Sequence, residues 1–255
     1  MPFEKIAAEK LAQAVVRQIE LLILRGILRP GERLPAERDL AARLGVSRPS
    51  LREAVADLQN RGLVASRAGA GLFVADVLGS AFSDGLVKLF ARHQEAVFDY
   101  IDFRRDMEGL AAERAARLAT DTDLQVINSI FAKMAAGQTR LGAADQAGLD
   151  ADFHMAIVEA SHNVVMLHMM RSMFELLREG VFYNRRAVFR QKKQRKILLD
   201  QHRAINDAIQ RRDPPAARAA IEIHMDFVKA ALAAEAKSAE HDAIARQRLE
   251  RQKRR

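Results

Sequence analysis

The sequence contains no cysteine and no tryptophan, and aromatic residues make up only 5% of it. Without cysteine there can be neither disulfides nor thiolate metal sites, so any metal must be held by histidine and carboxylate. The same absence makes a reducing cytoplasm the expected compartment. Few aromatics, against long runs rich in Ala, Leu, Met, Arg and Glu, disfavour a β-sandwich or barrel and favour helices. No apolar run approaches the ~20 residues needed to span a bilayer, and Met1 to Lys10 lacks the apolar core of a signal peptide. A soluble protein with no membrane partner is therefore expected. What is present is ample for folding: 255 residues, 49% of them hydrophobic, suffice for one large domain or two ordinary ones. The net charge of +8 suits a polyanionic partner without requiring one.

Hydrophobic periodicity divides the chain. Leu11, Val15, Ile19, Leu22 and Ile23 recur at helical spacing, and the pattern stops at Gly26 before the Pro30-Gly31 turn. Pro35 suits the first turn of a second helix that runs through Leu40 to about Leu44, where Gly45 ends it. Ser47 is placed to cap a third helix with Leu51, Val55 and Leu58 on its buried stripe and Gly62 at its end. Three helices within about fifty residues, the last two joined by a tight Gly-Val turn, predict a helix-turn-helix. Short apolar runs at Leu63-Val64 and Leu72-Phe73-Val74, separated by Arg67 to Gly71, predict a β-hairpin wing. From about Asp76 to Asp84 no strong period is visible and small residues accumulate, which places the linker there. Turn signals at Thr120-Asp121, Gly137 to Gly142, Ser161 to Asn163, Gly180 and Asp213 to Pro215 divide the remainder into about six helices. The segment from Ala245, with Arg246, Arg248, Arg251, Lys253, Arg254 and Arg255, is too charged to bury, so a solvated helix or a disordered tail is expected.

The third helix opens Ser47-Arg48-Pro49-Ser50-Leu51-Arg52. The first turns of a recognition helix are the part that enters the major groove. Arg48 and Arg52 are thus candidates for bidentate contacts to guanine, with Ser47 and Ser50 on phosphate or base edges. The bland alternative is that these arginines form a solvated helix face. Farther on, Asp150 and His154 are four apart and project from one helix face, as two ligands of one metal would. His202 and His224 lie in two further helical stretches separated by Pro214-Pro215, so three helices could bring these groups to one buried point. An Asp with three His suits zinc, nickel or a similar divalent ion. Taken singly, each His more often caps or satisfies its own helix than binds a metal.

The run Pro30-Gly31-Glu32-Arg33-Leu34-Pro35-Ala36-Glu37-Arg38-Asp39-Leu40-Ala41, then Val46-Ser47-Arg48-Pro49-Ser50-Leu51-Arg52-Glu53-Ala54, strongly resembles the GntR family of transcription regulators, over residues from about 10 to 75. The resemblance implies that Arg38, Arg48 and Arg52 carry the principal major-groove and phosphate contacts. It places the wing tip, Arg67, Ala68, Gly69 and Ala70, at the minor groove. Asp150-Ala151-Asp152-Phe153-His154, then Ala160-Ser161-His162-Asn163, His202 and His224, resemble the C-terminal domain of the FadR subfamily, the FCD type. That domain is an antiparallel helical bundle, and its metal-binding subset uses an Asp and three His. The likeness implies that Asp150, His154, His202 and His224 are ligands and that His162 is structural. Arg104, in Arg104-Arg105-Asp106-Met107-Glu108, matches the family's early helix motif. It is a candidate to grip an effector carboxylate through two hydrogen bonds, or else to pair with Glu108 four residues on. Softer features, Phe82 to Val87 and His162 to His168, resemble the pyruvate-, lactate- and glycolate-responsive regulators.

The expected fold class is mostly α, with an N-terminal winged helix-turn-helix and a C-terminal antiparallel all-helical bundle. The domains expected are a DNA-binding domain over 1–76, a linker with a first connecting helix over 77–93, a helical effector-binding and dimerisation domain over 94–236, and a charged tail over 237–255. The leading functional expectation is a homodimeric repressor of metabolic genes that is no enzyme. It would bind inverted-repeat half-sites in double-stranded DNA under control of a small carboxylate of the pyruvate, lactate or glycolate type. The alternatives are a metal-dependent hydrolase fused to a DNA-binding module and a metal-stabilised architectural DNA-binding protein without an effector.

Overall fold

The structure is a computed structural model and describes residues 9–67, 69–75, 83–90, 92–178 and 192–253. Ala68, the linker residues 76–82, Gly180, Arg254 and Arg255 lie outside the described residues. The chain divides into two compact units, Met1–Ala81 and Phe82–Arg255.

In the first unit α1 spans Glu9–Leu24, α2 Glu37–Leu44 and α3 Arg48–Asn60, followed by the strands β1, Val64–Arg67, and β2, Gly71–Val74. Val15, Val16, Ile19 and Ile23 of α1 pack against Leu51, Ala54, Val55 and Leu58 of α3, with Val64 and Val74 closing the core. The expected stripe is corrected at one end: Leu11 is 55% exposed, while Ala12 and Val16 point inward. Helix α2 begins at Glu37, with Ala36 in the N-cap position, so Pro35 precedes the first turn instead of occupying it. Gly45 ends α2 at φ +66°, and its amide donates to the carbonyls of Ala41 and Ala42, as a left-handed C-cap does. Ser47 caps α3 with Pro49 in the first turn. The strands pair antiparallel from Val64↔Val74 to Arg67↔Gly71, forming the expected wing, and Arg33 bridges Phe73 at its edge.

The described elements of the second unit are all helices: α4 Asp84–Phe90, α5 Gln94–Leu118, α6 Asp121–Gly137, α7 Ala143–Ala160, α8 Val164–Arg178, α9 Lys192–Gln210 and α10 Pro214–Lys253. Thr120 and Asp123 form a reciprocal capping box at the start of α6. Along α5, Ala111, Ala112, Ala115 and Ala116 are fully buried, and small side chains let neighbouring helices approach closely. Gly109 on the same helix faces Arg218 and Glu222 of α10. The charged segment from 237 continues α10 without a break and is exposed almost throughout, so it is the solvated helix of the two expected possibilities. None of the described helices is long and apolar enough to cross a membrane.

Candidate functional site

The first site is the start of α3. Ser47 Oγ accepts the amide of Ser50 at 3.2 Å and lies 2.8 Å from the Ser50 hydroxyl. Ser50 is buried, with its hydroxyl turned to that of Ser47. Ser47, Arg48 and Pro49 are exposed beside it. Arg52 is also exposed, and its Nε donates to Glu37 Oε2 at 2.9 Å across the turn between α2 and α3. Arg38 Nε donates to Asp39 Oδ1 at 3.3 Å. In the wing Arg67 stacks over Phe73 at 4.4 Å, Gly69 stands at φ +70°, and Gln59 of α3 donates to Ser66 of β1 at 2.7 Å. Sequence reading missed Glu37 and Gln59, whose partners are set by the fold.

The second site lies inside the helical unit. On α7 the buried positions Gln146, Asp150, Phe153, His154 and Ile157 follow the helical repeat, so the stripe that packs inward carries a carboxylate and an imidazole among its apolar members. His202 of α9 and His224 of α10 point to the same place, and all four residues are buried. One ligand atom from each of Asp150, His154, His202 and His224 lies within 4.8 Å of the others. His202 Nε2 is 3.0 Å from Asp150 Oδ1 and 3.3 Å from His154 Nε2. The convergence expected of three helices is present.

A fourth helix, α5, completes the cluster. Glu108 is buried, with Oε2 2.6 Å from His154 Nδ1 and Oε1 accepting from Arg104 Nε at 2.6 Å. Arg104 is itself buried and sits 4.9 Å over the Phe174 ring. Of the two roles expected for Arg104, the pairing with Glu108 is formed, in the interior. Behind His224, Gln201 Oε1 lies 3.1 Å from Nδ1. No periodicity signals Gln201 as a partner of His224, and Glu108 could be read only as a neighbour of Arg104. His162 stands apart, 3.0 Å from Asp123 in the α6 capping box.

Electrostatics suit a cation. Burial alone would push the Glu108 carboxyl up, but Arg104 and His154 outweigh it and hold its pKa at about 2. Burial pushes His154 below its ordinary value, more than Glu108 raises it. His224 is pushed down well below its ordinary value by burial and by the neighbouring His202 and His154. With their pKa values pushed down, His154 and His224 present lone pairs beside the carboxyl groups of Asp150 and Glu108. One carboxylate and three imidazoles whose ligand atoms converge in the interior form a nitrogen and oxygen donor set that fits a divalent metal. A cavity of about 20 Å³, room for one water-sized group, lies against His202 and is lined by Met134, Gln138, Gln146, Leu149, Arg195 and Leu199.

Comparison with known proteins covers both units. The model of the family described as bacterial regulatory proteins, gntR family, matches residues 11–74, and that of the FCD domain matches residues 99–227. The Glc operon transcriptional activator of Escherichia coli strain K12 is 33% identical over 222 residues, 86% of this chain and 87% of that one. A protein of the same strain named for regulation of the L-lactate dehydrogenase operon is 36% identical over 227 residues, 88% and 86% of the two chains. The solved structure of Streptococcus agalactiae GntR superposes with a TM-score of 0.49 at 24% identity, covering 88% of this chain and 99% of that chain. These relatives are regulators, and none of them supports the hydrolase alternative. A helix-turn-helix with its wing, a buried Asp/His cluster in a helical unit, and relatives above 30% identity over most of both chains lead to one conclusion: the chain is a DNA-binding transcriptional regulator of the GntR family, with a C-terminal FCD domain.

Proposed function

We propose that this regulator is a homodimeric, cytoplasmic repressor whose operator affinity is set by a small 2-keto or 2-hydroxy monocarboxylate bound at a zinc centre. The observation that carries the reading is the buried convergence of Asp150, His154, His202 and His224, with the Arg104–Glu108 pair packed against it. Nitrogen and oxygen donors without a thiolate suit zinc, nickel or a similar ion. When bound, such an ion supplies a Lewis-acidic point that a carboxylate and its adjacent α-oxygen can chelate together. Arg104 contributes a buried guanidinium, the group best matched to a carboxylate. The relative named for the L-lactate dehydrogenase operon points to the same chemical class.

At the other end of the chain, Arg48 and Arg52 read bases in the major groove, with Arg38, Ser47, Pro49 and Ser50 around them. Arg67 and Gly69 of the wing approach the minor groove. A dimer presents two such helices to the half-sites of an inverted repeat. The acid shifts the protein between forms that fit DNA differently, through its different affinity for each. The test is calorimetry and operator gel shifts with pyruvate, lactate and glycolate beside longer diacids, sugar acids and fatty acyl compounds. Binding in the micromolar to millimolar range is expected, because so few heavy atoms limit the binding energy. Binding of only a bulky ligand would refute the proposed effector class. Binding of none, with metal alone changing DNA affinity, would make the protein a metal sensor.

A further inference from the structure

Two of the three histidines of the cluster have an acceptor oxygen beside Nδ1. His154 Nδ1 meets the carboxylate of Glu108 at 2.6 Å, and His224 Nδ1 meets the amide oxygen of Gln201 at 3.1 Å. His202 turns Nε2 to Asp150 Oδ1 at 3.0 Å. An ionised carboxylate and an amide oxygen can only accept, so a proton on each of the first two rings belongs on Nδ1 and the lone pair on Nε2. Glu108 is in turn fixed from its other oxygen by Arg104, which is stacked on Phe174.

We propose that Glu108 and Gln201 are positioning residues that set the tautomer and ring orientation of His154 and His224 for binding a metal through Nε2. Glu108, locked by Arg104, has the larger effect. The inference rests on the metal half of the function proposed above. A ring held in one tautomer and one orientation loses less freedom on binding, and a carboxylate behind it makes it a better donor. The Gln201 amide does the first of these and less of the second.

The experiment titrates zinc into the full chain, stripped of metal, against a chromophoric chelator, while ¹⁵N imidazole NMR reads the tautomers with and without zinc. In Glu108→Gln one acceptor oxygen must serve two donors, Arg104 Nε and His154 Nδ1. Zinc affinity should fall about 10- to 100-fold, and His154 should lose its single Nδ1–H signature. In the double variant Arg104→Gln with Glu108→Gln, the residue 108 amide donates to residue 104 and frees its oxygen for His154. The Nδ1–H signature should return without the charges. Gln201 is half-buried, which makes Gln201→Leu and Gln201→Glu tolerable should the changes at 108 disturb folding. The first should weaken zinc and release the His224 tautomer, and the second should match or exceed the natural protein. Unchanged tautomers and zinc affinity in Glu108→Gln and Gln201→Leu would overturn the inference. A natural protein that takes up no zinc would instead overturn the metal reading itself.

Discussion

Stripping metal from this protein should lower its melting temperature by an amount that can be worked out beforehand. A ligand bound only by the folded state stabilises it by RT ln(1 + [L]/Kd), about 2.7 kcal/mol at a free concentration a hundredfold above Kd. The helical unit runs from Phe82 to Arg255. In a body of that size each kcal/mol moves the midpoint by roughly 2–4 °C. Saturating zinc should therefore raise the transition of this unit by about 5–11 °C over the stripped protein. The shift should be largely lost in His202→Ala, because His202 Nε2 stands 3.0 Å from Asp150 Oδ1 and 3.3 Å from His154 Nε2 and would be one of the ligands. The comparison is a difference of differences: each protein is melted with and without zinc by calorimetry. Any destabilisation that His202→Ala causes by itself cancels. A midpoint unmoved by zinc, or one that moves equally in both proteins, would refute the reasoning.

Two further outcomes can be checked directly. Replacing Arg48 or Arg52 by Ala should weaken operator binding by about 1–3 kcal/mol and relax base preference, measured by gel shift on specific and random duplexes across a salt series. Equal losses on both duplexes would make these phosphate contacts. Asp123→Ala should cost about 1 kcal/mol of stability at neutral pH through loss of the α6 cap, read from denaturant melts. Burial alone would raise the Asp123 carboxyl, but Thr120 and then His162 hold it below its ordinary value. The group's contribution is thus present above the unfolded pKa and is lost as pH falls below about 4. A penalty that persists at low pH would mean the carboxylate is not its source.

The sequence by itself determined every choice that depends on neighbours along the chain. Gly45 and Ser47 mark the turn between α2 and α3 because a left-handed stop and a side-chain cap are local chemistry. Leu51, Val55 and Leu58 are buried because helical spacing puts them on one face. Asp150 and His154 share a face for the same reason. That His202 and His224 join them was legible from family resemblance and from their separate helices, not from spacing.

What only the tertiary structure decided is which side chains meet across elements. Leu11 is exposed while Ala12 and Val16 pack, because the rotation of α1 is set by the surface that α3 offers. Ser50 turns inward, its hydroxyl beside that of Ser47. Arg52 meets Glu37 fifteen residues away. Glu108 reaches His154 because α5 and α7 cross at that level, and Gln201 reaches His224 because α9 and α10 pair in one register. A helix repeat fixes the direction in which a side chain leaves its own axis. The distance and rotation of the neighbouring axis come from packing the whole interior, so the ligands can be read from the chain but the groups that orient them cannot.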